Sequence, residues 1–112
     1  MVVNILGTEY EILRQTPHEN PKLKDMCGYC DFSSKKIVVD TFEEEKQDVN
    51  AQDNIDVFID KILRHEIIHA FLGESGLRSN SDWAENEEMV DWIAIQFPKI
   101  AKVFETLKGE QE

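Results

Sequence analysis

Apolar and polar positions alternate over the first forty residues and recur at helical spacing over the last sixty. Val2 to Leu6 is apolar and β-branched and is broken by Gly7-Thr8; the run Glu9-Tyr10-Glu11-Ile12-Leu13-Arg14 then alternates. Together these runs predict a hairpin. Thr16 to Lys24 carries Pro17, Asn20 and Pro21 and reads as a loop. Cys27 to Phe32 predicts a third strand, Ser33-Ser34 a turn, and Lys36-Ile37-Val38-Val39 a fourth strand, giving a second hairpin. Glu43-Glu44-Glu45 reads as a solvated loop or a helix start. Beyond it the apolar period lengthens. Ile55, Phe58, Ile59, Ile62, Leu63 and Ile67 predict a helix that starts near Asn50 to Asn54 and stops between Leu72 and Gly76. Phe58, Ile62, His65, His69 and Leu72 follow one stripe of that helix, which turns toward the protein.

After the polar connection Leu77 to Asp82, Ser81 or Asp82 is placed to cap a second helix from Trp83 to about Phe97. Pro98 then interrupts or restarts it. Ile100, Val103, Phe104 and Leu107 predict a last short amphipathic helix packed on the body, with Gly109 to Glu112 as a frayed acidic tail. The expected fold class is α+β. Two hairpins form a small antiparallel sheet, the long helix packs on it, and an acidic helix and a short C-terminal helix follow.

Composition narrows this picture. A chain of 112 residues fits one compact domain, taken as 1–112, and no repeat or linker divides it. Lys and Arg number 12 against 23 Asp and Glu, a net charge of −11. Phosphate backbones and anionic membrane surfaces need Lys and Arg, so neither nucleic acid nor a membrane is the expected partner. The longest apolar runs are only a few residues, and Met1 to Leu6 lacks the basic start of a secretory signal, so the expected location is cytoplasmic. Cys27 and Cys30 form a single C-x-x-C pair, half a zinc site at best, and read as reduced structural thiols.

The candidate chemistry lies in the long helix. His65-Glu66-Ile67-Ile68-His69 spells H-E-x-x-H. Residues four apart share a helix face, so both imidazoles reach one ion. Glu66 sits about 100° round the helix, where a carboxylate serves as general base toward a water at the ion. A catalytic zinc site needs a third protein ligand. The cluster Glu85, Glu87, Glu88 and Asp91 lies on the next helix, and the short connection makes the two helices neighbours. Val90, Ile93, Ala94, Phe97 and Trp83 mark that helix's inward sector by angle. Glu87 falls at its edge and is the ligand expected, with Glu88 kept open as the alternative. Asp91, one turn on, is placed to accept the distal N–H of a ligating His. His18, on a polar loop, has no neighbour at ligand spacing.

His65-Glu66-x-x-His69 followed by Asn86-Glu87-x-x-x-Asp91 resembles the gluzincin branch of zinc metallopeptidases. The stretch from about Gly28 to Phe97 is also similar to small bacterial and phage ImmA/IrrE-like metallopeptidases, in which a strand–turn–strand such as Gly28 to Asp40 precedes the active-site helix. The resemblance implies a minimal zincin-like domain with zinc as cofactor. His65, His69 and Glu87 would be ligands, Glu66 the general base, and Asp91 the support of a ligand. It implies hydrolysis of a protein or peptide substrate laid along an edge strand, for which Lys36 to Asp40 is the candidate. Tyr29 and His18 are the candidate donors to the tetrahedral intermediate, and Arg64 and Arg78 flank the region. The alternative is a zinc-stabilised binding or phage-associated interaction module without proteolytic activity.

Overall fold

The expected hairpins are both present, and a parallel seam joins them. The computed structural model describes residues 1–44 and 54–111. Strands β1 (Val2–Ile5) and β2 (Thr8–Gln15) pair antiparallel, as do β3 (Gly28–Asp31) and β4 (Lys36–Asp40). The order in the sheet is β1-β2-β4-β3, and β2 runs parallel to β4 with Ile12 opposite Ile37 and Arg14 opposite Val39. The sheet is therefore mixed, which corrects the antiparallel expectation. Strand β4 lies inside it, paired on both sides, which removes Lys36 to Asp40 as a substrate edge. Ile37, Val38 and Val39 are all fully buried, one contiguous apolar run where an edge strand would alternate. The edge next to β4 is β3.

Helix α1 (Ile55–Glu74) lies across the sheet. The expected start at Asn50 to Asp53 and the acid Glu45 fall outside the described residues, and the Asn54 side chain makes no capping hydrogen bond. The helix ends where Gly76 turns left-handed at φ 87°, a conformation that suits glycine. Ile59, Ile62, Glu66 and Ala70 are its buried sheet-facing stripe, packed in one cluster with Ile12, Ile37, Val39 and Phe42, Glu66 aside. That stripe lies one residue round from the expected one. The two His consequently fall at its margin, half-buried, between the sheet-facing side and the side that meets the next helix. A second small cluster of Leu72, Ala84 and Val90 joins α1 to the C-terminal part of the chain.

Glu74, the last residue of α1, ties that end to the sheet. It accepts hydrogen bonds from the Thr8 hydroxyl at 2.9 Å, the Tyr10 hydroxyl at 2.6 Å and the Lys35 ammonium at 2.9 Å. These three donors hold its carboxyl down at about 2, the Tyr10 bond first. In the middle of α1, Gly28 of β3 lies close beneath the helix. A Cβ there would stand 2.9 Å from the Val38 carbonyl and 3.1 Å from the Ile62 side chain.

After the short helix α2 (Leu77–Asn80) comes a 3-10 turn, Asp82–Glu85, where the helix from Trp83 was expected. The long helix α3 starts at Glu87 and runs to Gln111, through both Pro98 and the expected frayed tail. The Asn86 side chain accepts from the Met89 backbone N–H at 2.9 Å, which fixes this start. Proline has no N–H to give to the carbonyl four residues back, here Ala94. Arg64 on α1 supplies the missing donor, its Nε bonding the Ala94 oxygen at 2.8 Å. Val90 and Ala94 are fully buried, but Phe97 and Trp83 are exposed, contrary to the expected inward sector. The C-terminal stretch also fails to pack on the body: Ile100, Val103, Phe104 and Leu107 all face solvent. No described helix is long and apolar enough to cross a membrane.

Candidate metal centre

One turn of α1 and the first turn of α3 bring the expected site residues together. Helical spacing sets the His65 and His69 rings 4.8 Å apart between centroids, with their Nε2 atoms 3.2 Å from each other. The Asn86 cap starts α3 so that Glu87 faces this pair. One Glu87 oxygen lies 2.8 Å from His65 Nε2 and the other 3.0 Å from His69 Nε2. Asp91, one turn on, lies 3.3 Å from His65 Nδ1, and Lys61 approaches the same carboxylate at 3.8 Å. Glu88 points elsewhere, into an apolar hollow with Trp83, Met89 and Trp92.

The donor set fits a tetrahedral cation. Zinc bonds of about 2.0–2.2 Å to nitrogen or oxygen put neighbouring ligand atoms about 3.3 Å apart. The three contacts among His65, His69 and Glu87 run from 2.8 to 3.2 Å, slightly inside that figure. A His65 ring that gives its Nδ1–H to Asp91 leaves its Nε2 to face an ion. Burial holds His69 toward its neutral form, against the pull of Glu87. Two imidazole Nε2 atoms and a carboxylate thus converge on one point.

Glu66 completes the cluster from the sheet side. Its ligating atoms and those of His65 and His69 all lie within 4.8 Å of one another. Only 7% of its surface is exposed. Burial pushes its carboxyl up to about 7, with His65 opposing and Glu87 reinforcing the rise.

A cavity of about 380 Å³ opens beside these groups. Glu66, His69 and Glu87 form one wall, and Tyr29 and Cys30 of β3 contribute to another. Two further residues line the cavity: Phe32, which no expectation placed there, and Arg78, expected only to flank the region. Phe32 lies against the helix at Gly73, where a Cβ would run into its ring. The Arg78 guanidinium lies 4.4 Å from that ring's centroid and 3.7 Å from Glu85. Neither belongs to a motif, and only the hairpin and α2 folding against α1 bring them to the site.

Of the two expected donors to an oxyanion, Tyr29 lines the cavity, with its hydroxyl accepting from Asn20 at 2.8 Å. His18 is exposed on its turn and is not among the lining residues. Neither Cys27 nor Cys30 is in a disulfide, and burial lifts the Cys30 thiol to about 12, far from a reactive thiolate. No family model matches the chain, and no curated protein or solved structure is significantly similar to it.

Proposed function

We propose that the protein is a zinc-dependent peptidase, with zinc held by His65, His69 and Glu87. The observation that carries this reading is the Glu87 carboxylate spanning both His Nε2 atoms at 2.8 and 3.0 Å while Glu66 lies buried beside them. A structural zinc site closes with four protein ligands and has no use for a buried base next to it. When bound, zinc supplies Lewis acidity, making a water at the site more acidic and polarising a peptide carbonyl.

Glu66 accepts a proton from the attacking water as the new C–O bond forms. It returns that proton to the leaving nitrogen as the C–N bond breaks. Burial favours the neutral carboxyl, which suits Glu66 to hold that proton between the two transfers. Asp91 keeps His65 in the tautomer that presents Nε2. Strand β3 is the sheet edge along the cavity, and its outer backbone groups orient an extended peptide by adding it as a further strand. This assignment replaces Lys36 to Asp40. The Arg78 guanidinium and the Tyr29 ring border the same space and are the side chains that a bound peptide meets first.

Glu66→Gln tests the reading. Zinc-loaded wild-type protein is expected to cleave unfolded casein. The variant is expected to keep its zinc and lose cleavage by about 10²–10⁴-fold. Equal cleavage by both proteins would overturn the role of Glu66. Wild-type protein that holds zinc and cuts nothing would favour the non-proteolytic binding module instead.

A further inference from the structure

The exposed half of α3 carries a pattern that the proposed chemistry does not use. Phe97, Ile100, Phe104 and Leu107 recur at intervals of three, four and three, the seam of a two-helix pair. They are 53%, 39%, 62% and 49% exposed although the helix continues unbroken beneath them. Val103 flanks the seam on one side and Ala101, a small residue, on the other. Isolated helical turns are marginal in water without an apolar face to bury, so this seam needs a covering surface.

We propose that a second copy of this chain covers it, through antiparallel pairing of the two α3 helices about a two-fold axis near Lys102. Area supports this occupant. The exposed seam and its flanks amount to roughly 500 Å² per copy, so complete burial by pairing removes up to roughly 1,000 Å² from water, the low end for a specific interface.

Charge supports it as well. Residues 98–112 hold Lys99, Lys102 and Lys108 against Glu105, Glu110 and Glu112, so the net −11 lies entirely before Pro98. Two acidic bodies repel, and this neutral helix is where two copies approach at least cost. Antiparallel pairing also sends the bodies to opposite ends. The same acidity disfavours an anionic lipid surface as the occupant.

Shape supports the antiparallel direction. About a centre at Lys102, Phe97 meets the second copy's Leu107, and Ile100 meets the second copy's Phe104, so each aromatic ring faces an aliphatic side chain. Where the seam reaches the body, Ile67, Ile68, Phe71 and Phe97 line an apolar cavity of about 420 Å³. The same pairing brings the second copy's Leu107 to that end.

Sedimentation equilibrium of the full chain at about 100 µM tests the proposal. The expected mass is twice 13.0 kDa, unchanged by high salt. Phe104→Glu is expected to return the chain to 13.0 kDa with its zinc uptake intact, since Phe104 lies off the body. A wild-type monomer at that concentration, or a dimer that survives Phe104→Glu, overturns the proposal. For direction, Cys27 and Cys30 are first replaced by Ser. Ile100→Cys chains are then expected to form disulfides with Phe104→Cys chains on oxidation. Cross-linking of like with like instead would overturn the antiparallel arrangement.

Discussion

Glu66 and Glu74 lie two helical turns apart on α1 and are shifted in opposite directions, which makes them separable by pH. Burial raises Glu66 from 4.5 to about 7 in the metal-free protein. Between those values the folded state binds more protons than the unfolded chain, so stability falls as pH rises through that window. Glu66→Gln removes the penalty. At pH 8 the metal-free variant is expected to be more stable than wild type by on the order of 2 kcal/mol, read by urea denaturation. Equal stability there would mean that the carboxylate bears no burial cost. Glu74 behaves in the reverse sense. Its three donors lower it from 4.5 to about 2, so its contribution is present above pH 4.5 and is lost as pH falls toward 2. Glu74→Gln is expected to flatten the loss of stability across that acid window, and an unchanged slope would argue against the clamp. At this scale the sequence was most legible where spacing alone decides. H-E-x-x-H puts two imidazoles on one face in any helix, and helix phase favoured Glu87 over Glu88. Arg78 was legible only as flanking the region, and Phe32 not at all, because the packing of α2 and the β3–β4 turn against α1 is specified by no local pattern.

The elements were readable one by one, and their lateral arrangement was not. Alternation and turn residues located all four strands, but neither says which edges of two hairpins meet. The available signal was the unbroken run Ile37-Val38-Val39, which belongs in a strand buried on both faces, as interior strands are. Gly28 carries the closeness of β3 to β4 and α1. Gly28→Ala would press a methyl against the Val38 carbonyl and the Ile62 side chain, and is expected to destabilise the fold by about 1–3 kcal/mol in denaturant titration. A cost near zero would mean that β3 moves freely against the helix. Pro98 misled for a different reason. A proline ends a helix when the carbonyl it orphans finds no donor, and here Arg64 provides one from the neighbouring helix. Arg64→Ala is therefore expected to cost about 1 kcal/mol in the wild-type chain. It should cost less in a Pro98→Ala background, where the restored N–H takes over the Ala94 carbonyl. Equal costs in the two backgrounds would exclude the compensation.

At the scale of the whole molecule, the sheet and two helices divide the work of the site. The sheet buries one face of α1 and with it Glu66. The other face meets α3, and the seam between them holds His65, His69, Glu87 and Asp91. The crossing of both packings brings a buried carboxylate beside three convergent candidate ligands. The strongly acidic surface favours a cation at that seam and disfavours phosphate partners. The most direct test is the zinc content of intact protein by native mass spectrometry, for wild type, Glu87→Ala and Glu88→Ala, after zinc loading and dialysis. About one equivalent is expected for wild type and Glu88→Ala, and less than about a tenth for Glu87→Ala. Wild-type protein below about a tenth of an equivalent despite added zinc, or zinc lost in Glu88→Ala and kept in Glu87→Ala, would contradict this expectation.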